Sequence, residues 1–467
     1  MRLAPALLAA ALGCASAPPP RPPPPPPAPV AAPAPRPALD LPVEYHVLKN
    51  GLRVVLSPDR SAPKVAVGVY YAIGFRVEPK DRTGFAHLFE HMMFQGSRNL
   101  GKMEFIKLVQ ANGGTLNGST RFDFTNYYEV VPSNVLETVL WAEADRMRGL
   151  AVNEENLENQ QGVVSSEVRV NVLNRPYGGF PWLDLPQLAN SNWYNAHNFY
   201  GDLKDIEAAT LQDVQAFFRT YYAPNNAALA LVGDFEPAQA LAWVEKYFGD
   251  LPSAPQPPAP DLTEPRQEQE KRAEKVDPLA DRPALAVAWH APPPGTPEHA
   301  AFVLLDQLLV QGRDAALHQE LVQERGLTGE VAGGLNLLGN PWNYRGPMLE
   351  IAYVFHDREH SPQELLAAVD EAVAPFLSAP VSAEALARAK VKARSALYAD
   401  MEDFGGFGLA DLLAASALFT DDPKNVLKLE AGLDAVTPEL LQKTAQEWLR
   451  PTNRTVLVVK AKEKTAP

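Results

Sequence analysis

Two histidines four residues apart with a glutamate between them, His87, Glu90 and His91, are the residues here whose types and spacing best suit chemistry. On a helix, positions i and i+4 share a face, so both imidazoles project from one side, one turn apart. Two rings so placed can grip one zinc ion through nitrogens at ~2.0–2.1 Å. Glu90 follows His87 by three residues and adjoins His91, at the edge of that face. Its carboxylate can reach a water on the metal without binding the metal. Catalytic zinc takes three protein ligands and a water whose pKa it lowers toward 7. The pair therefore needs a third ligand from elsewhere in the chain.

The spacing predicts a helix over 85–95, with Leu88, Phe89, Met92 and Met93 apolar and Gly96 as C-cap. An internal repeat sharpens the reading. FAHLFEHMMFQG (85–96) aligns with AFVLLDQLLVQG (301–312), and ATLQDVQAFFRTYYAPNNAALALV (209–232) aligns with VTPELLQKTAQEWLRPTNRTVLVV (436–459). The second pair reads twice as a helix, a Pro-Asn turn and a closing apolar strand. Two matches in the same order indicate a duplication, each half an α/β unit of sheet and packed helices. In the first alignment the apolar positions persist, while His87, Glu90 and His91 become Val303, Asp306 and Gln307. Packing accounts for the conserved apolar positions but not for histidines in one copy alone, so the first copy carries the site.

A second literal H-x-x-E-H, His356 to His360, follows an apolar strand at 349–355 and precedes Ser361-Pro362, an N-cap with proline at the first helical position. In such a strand-to-helix loop i and i+4 share no face. It reads as a solvated, charged loop rather than a metal site.

The chain's 467 residues, 46% of them hydrophobic, suit two or three domains. A net charge of −14 repels phosphate backbones and argues against a nucleic-acid partner. The single cysteine, Cys14, excludes an intramolecular disulfide and thiolate metal clusters. No run approaches the roughly 20 apolar residues of a spanning helix. Residues 1–14, MRLAPALLAAALGC, read as an export signal ending in a lipobox-like Cys14. Residues 15–41 form a proline-rich spacer with thirteen prolines in 18–37, a polyproline II stalk about 60 Å long. A breaker-rich, charged stretch at 251–282 reads as a linker between blocks at 42–250 and 283–463.

The surroundings of the first motif resemble the pitrilysin (insulinase, M16) family of zinc peptidases, and its mitochondrial processing peptidase β-subunit type in particular. The resemblance rests on TGFAHLFEHMMFQGS (83–97), GGTLNGSTRFDFTNYYEVVP (113–132), WAEADRM (141–147), SEVRVNVLNRPYG (166–178), YYAPNNAALALVGDF (221–235) and ERGLTGEV (324–331). It implies an α+β fold of two tandem homologous α/β domains, each a mixed, mostly antiparallel sheet packed with helices, the second domain degenerate. It implies zinc held by His87, His91 and Glu167, one ion per chain, with Glu90 taking a proton from the bound water and passing it to the leaving amine. It also implies that a peptide binds as an added strand along Thr115, Leu116, Asn117 and Gly118, a segment whose Gly-Gly and Asn-Gly pairs alone read as turn chemistry.

Three departures qualify the resemblance. Gly118 replaces the family's usual alanine. Gln160 stands where the family has a catalysis-assisting glutamate. Val322 and Gly329 occupy the positions of an arginine and a tyrosine that hold the substrate backbone in single-chain relatives. The expectation is an exported zinc endopeptidase acting on peptides or unfolded polypeptides, an outer-membrane-anchored lipoprotein of a bacterial envelope, dimerised with a second such chain that supplies the Arg/Tyr pair. The alternative is a catalytically weak or inactive structural or peptide-binding subunit.

Overall fold

Val54 and Leu56 point to one side of their strand and Val55 to the other, and all three are fully buried. Continuous apolar runs of this kind belong to strands covered on both faces. In the computed structural model, which describes residues 39–403 and 407–462, they build two sheets. Cys14, the signal-like segment and nearly all of the spacer lie outside the described residues.

The first sheet contains β1 (Glu44–Val47), β2 (Arg53–Pro58), β3 (Lys64–Tyr71), β4 (Thr115–Thr120), β5 (Thr125–Pro132) and β6 (Ala227–Gly233), in the order β1-β2-β6-β3-β5-β4. The second contains β7 (Lys271–Asp277), β8 (Ala284–His290), β9 (Ala332–Leu335), β10 (Leu349–Phe355) and β11 (Arg454–Ala461), in the order β7-β11-β8-β10-β9. In each sheet one pair is parallel, β2 with β6 and β7 with β11, and the other pairs are antiparallel. Without β1 the two sheets share one topology, so the fold is α+β with a duplicated unit.

The duplication extends to hydrogen bonds. Thr210 and Thr437 cap the helices Leu211–Tyr221 and Pro438–Trp448, their side chains accepting from the N–H of Asp213 and of Leu440. After each helix, Asn226 and Asn453 donate through Nδ2 to the carbonyls of Tyr221 (2.9 Å) and Trp448 (2.6 Å). Each asparagine satisfies a helix-end carbonyl and fixes where the next strand starts.

Each sheet has one face covered by its own half and the other by a helix from the opposite half. Helix Phe407–Thr420 lays Ala410, Leu413, Ala414 and Ala417 against Val55, Ala66, Tyr70, Ala228 and Ala230 of the first sheet. Reciprocally, Leu185 and Ala189 of the short helix Asp184–Ala189, with Phe180, cover Ala284, Ala286, Ala288, Leu349, Ile351 and Leu457 of the second. Residues 39–462 accordingly fall within a single compact unit.

Three sequence readings change. Within the stretch read as a linker, Lys271–Asp277 is a strand, pairing in parallel with β11 along its full length. Arg272 and Glu274 face water at the sheet edge, while Lys271 and Lys275 reach to the Ala189 carbonyl and to Asp184, and this charged composition imitates a linker. The motif helix runs Phe85–Met92 and ends before Gly96, whose φ of 112° instead serves the turn beyond it. His356 is buried rather than solvated: it bridges to Thr328, and its Nδ1 lies 3.0 Å from the Asp357 carbonyl. Among the described residues no single helix is long and apolar enough to cross a membrane.

Candidate metal centre

The helix Phe85–Met92 buries Phe85, Leu88, Phe89 and Met92 in the core of the first sheet, which turns His87, Glu90 and His91 the other way. Its N-terminus is fixed by Glu78, whose carboxylate accepts the N–H of Gly84 (2.8 Å) and of Ala86 (2.5 Å). A carboxylate there satisfies orphan donors and complements the helix dipole. A second helix, Glu154–Val168, starts at an Asn153 cap and carries Glu167 in its last turn. A wider π-type turn over Arg169–Leu173 follows, a feature common at functional positions.

The two helices bring three donors together. His87 Nε2 and His91 Nε2 are 3.3 Å apart, His91 Nε2 and Glu167 Oε2 3.2 Å, and His87 Nε2 and Glu167 Oε1 3.7 Å. Ligand atoms ~2.0–2.1 Å from a tetrahedral zinc stand about 3.3 Å from one another. The donor set fits zinc in chemistry, its donor atoms all lie within 4.8 Å of one another, and the His91 separations are already at that spacing. It is the one His, Cys, Asp and Glu cluster of metal-binding geometry among the described residues, and the His356 to His360 pattern forms none.

The electrostatics agree with the spacing. Burial, and then the neighbouring His91, lower the His87 pKa to about 4, so its ring is neutral and offers a lone pair. Hydrogen bonding to His91 holds the Glu167 carboxyl below the usual carboxylate range. Burial pushes Glu90 up, opposed by a hydrogen bond from Thr120, whose Oγ1 donates to Glu90 Oε2 at 2.7 Å. Glu90 thus sits beside the three donors with Oε2 engaged by Thr120.

The candidate substrate residues lie on β4, which pairs with β5 alone and forms the sheet's edge. Thr115 and Asn117 are exposed, Leu116 is half-buried and Gly118 is buried. A Cβ at Gly118 would come within 3.2 Å of the Tyr127 ring, so the glycine lets the strand lie flat on that ring. Gln160 is buried two helical turns before Glu167, donating to Asn159 Oδ1 at 2.7 Å. Val322 sits in a helical turn and Gly329 is exposed, while Arg325 is engaged by Glu320 and Glu371.

Sequence reasoning missed Tyr200, whose hydroxyl donates to Glu167 Oε1 at 3.3 Å, and the bond from Thr120 to Glu90. Thr120 ends a segment already of interest. Tyr200 carries no local signal, because only folding brings its loop to the site.

Comparison with known proteins gives a consistent picture. Residues 53–176 match the profile described as insulinase (peptidase family M16), and residues 208–392 match the one described as peptidase M16 inactive domain. The chain is 30% identical over 289 residues to the zinc protease PqqE of Helicobacter pylori, an alignment covering 61% of this chain and 64% of that protein. It is 26% identical over 211 residues to a probable mitochondrial-processing peptidase subunit beta of Arabidopsis thaliana, covering 44% of this chain and 39% of the relative. The fold superposes on a crystal structure of a Helicobacter pylori protease with a TM-score of 0.83 at 24% identity, over 90% of this chain and 100% of that one. It also superposes on the first half of the periplasmic protease PqqL of Escherichia coli with a TM-score of 0.72 at 19% identity, over 90% and 93% of the two chains.

Proposed function

The chain belongs to the M16 (insulinase) peptidase family, and from that premise we propose that it is a zinc-dependent endopeptidase acting on peptides or unfolded polypeptides. The observation carrying this reading is the convergence of His87, His91 and Glu167, with donor atoms within 4.8 Å of one another and Glu90 beside them. A zinc ion held by the three would supply Lewis-acid activation of a water and of the scissile carbonyl. Glu90 Oε1, the oxygen that Thr120 leaves free, takes the proton from the attacking water and delivers it to the leaving amine nitrogen. Burial raises the affinity of Glu90 for that proton, which brings a carboxylate closer to the pH of its task. The outer edge of β4 offers backbone N–H and C=O groups to an extended peptide, with Thr115, Leu116, Asn117 and Gly118 along it.

The reciprocally exchanged helices hold the two halves together, so opening and closing of a chamber falls to a second chain. Val322 and Gly329, in place of the substrate-holding Arg/Tyr pair, support the same dimer. Periplasmic relatives support export, and Cys14 is the residue available for a lipid anchor. Gln160 and the missing pair favour a second reading, a peptide-binding or structural subunit with little activity.

Cleavage of a quenched peptide separates the two readings. Activity should disappear with chelation and in Glu90→Gln. That variant should retain zinc, whereas His91→Ala should lose it. Normal turnover by Glu90→Gln would refute the assigned role.

A further inference from the structure

Tyr200 lies on the loop between the short helices Trp193–Ala196 and Leu203–Ala208. That loop is pressed onto the start of the motif helix, backbone against backbone. Gly201 has φ +68°, and a Cβ there would stand 2.3 Å from Gly84 N; a Cβ on Gly84 would stand 2.4 Å from the Tyr200 carbonyl oxygen. Both positions need glycine to allow this approach. Side chains pin the same contact: Thr83 Oγ1 donates to Asp205 Oδ2 at 2.5 Å and accepts from Asp202 N at 2.8 Å. The position of Tyr200 is thereby tied to the turn that carries His87.

The ring is locked as well. Tyr200 is buried, with ring centroids 4.9 Å from Phe199, 6.0 Å from Trp182 and 5.1 Å from His87. Its hydroxyl donates to Glu167 Oε1 at 3.3 Å. Glu167 itself is half-buried on the last turn of its helix, where a glutamate keeps several rotamers. With Oε1 held by the phenol, Oε2 is the oxygen 3.2 Å from His91 Nε2, at the separation expected of two ligands on one ion.

We propose that Tyr200 is a positioning residue for the metal centre: by donating to Glu167 Oε1 it orients the carboxylate so that Oε2 is presented to the ion. This rests on the reading of His87, His91 and Glu167 as zinc ligands. Hydrogen bonds of this outer kind change metal affinity by roughly 10–100-fold when lost.

The test measures zinc affinity of the full chain by chelator competition, with peptide turnover as a secondary readout. Tyr200→Phe keeps the ring and its packing but removes the donor. It should raise the zinc Kd about 10–100-fold and alter the visible absorption of the cobalt-substituted protein. In a Glu167→Gln background the same change should cost less than about twofold, since the group it acts through is gone. A Kd for Tyr200→Phe within about twofold of the parent's, or an equal loss in both backgrounds, would overturn the proposal. A parent chain that binds no zinc, or binds it equally well as Glu167→Gln, would instead remove the zinc reading beneath it.

Discussion

The hydroxyl of Thr120, the last residue of the edge strand β4, donates to Glu90 Oε2 at 2.7 Å and lies 3.4 Å from the Ala86 carbonyl. One side chain thus ties the edge strand β4 to the carboxylate of Glu90. Under the proposed reading, a peptide pairing along β4 would be held in register with Glu90 through this contact.

Thr120→Val keeps the shape and removes that donor. Hydrogen bonds to charged groups contribute about 1.5–3 kcal/mol, and the lower end corresponds to roughly tenfold in rate. The variant should lose about tenfold in kcat with KM little changed, because Glu90 is misplaced while the strand edge remains. Steady-state kinetics on a quenched peptide decide this; a KM effect with normal kcat would show that Thr120 serves binding instead.

Metal removal should be visible in stability. A ligand that binds only the folded chain stabilises it by RT ln(1 + [L]/Kd), about 2.7 kcal/mol at a hundredfold excess over Kd. Zinc should raise the Tm of the parent chain, and chelation should reverse the gain. His91→Ala should show neither effect, since it removes one of three donors. A calorimetric scan with and without chelator tests it. Equal zinc dependence in parent and His91→Ala would place the ion elsewhere.

How much of this was legible from sequence depends on how far each feature reaches along the chain. His87, Glu90 and His91 lie on one helix, so periodicity and the contrast with Val303, Asp306 and Gln307 pointed to them directly. Glu167 came from family resemblance, since no local pattern links it to the motif. Strand β7 was hidden because five of its seven residues are charged, which its place at the sheet edge allows. Helix Phe407–Thr420 is apolar nearly all round, but nothing local shows that the sheet it covers belongs to the other half. Tyr200 and Thr120 become functional only through contacts between distant segments.

The second half's counterpart of Glu90 gives a pH prediction. Asp306 is buried and accepts from Gln311 Nε2 (2.9 Å) and Gln307 Nε2 (3.1 Å), and burial pushes its carboxyl up to about 6. Glu350, buried against it, is also raised, by burial first and then by the Asp306 charge. A carboxyl with a raised folded pKa stabilises fully below its unfolded value, and that contribution fades as pH rises through the folded one. For Asp306 the window opens near 3.8 and closes above about 6, with up to about 3 kcal/mol at stake. Asp306→Asn, which cannot ionise, should gain stability relative to the parent as pH rises from about 4 to about 7. Urea unfolding at both ends of that range measures it, and a pH-independent difference would argue against the buried acid.

The exchanged helices predict that the chain unfolds as one unit. Leu413 is fully buried and packs with Val55, Tyr70 and Ala230 of the first sheet, and Asp411, two residues before it, accepts from Tyr70 Oη at 2.8 Å. Truncating such a leucine to alanine costs 2–5 kcal/mol, roughly, when the cavity cannot collapse. Leu413 belongs to the half without the motif histidines His87 and His91, but the surface it covers is the back of the sheet whose other face supports the motif helix. Leu413→Ala should therefore lower the temperature of the zinc-dependent transition itself, leaving one cooperative transition in calorimetry. Two independent halves would give a different result: a separate transition for the second half and an unmoved zinc-dependent one for the first. Observing that would mean that the reciprocal covering contributes little, and that the chain could open between its own halves without a partner.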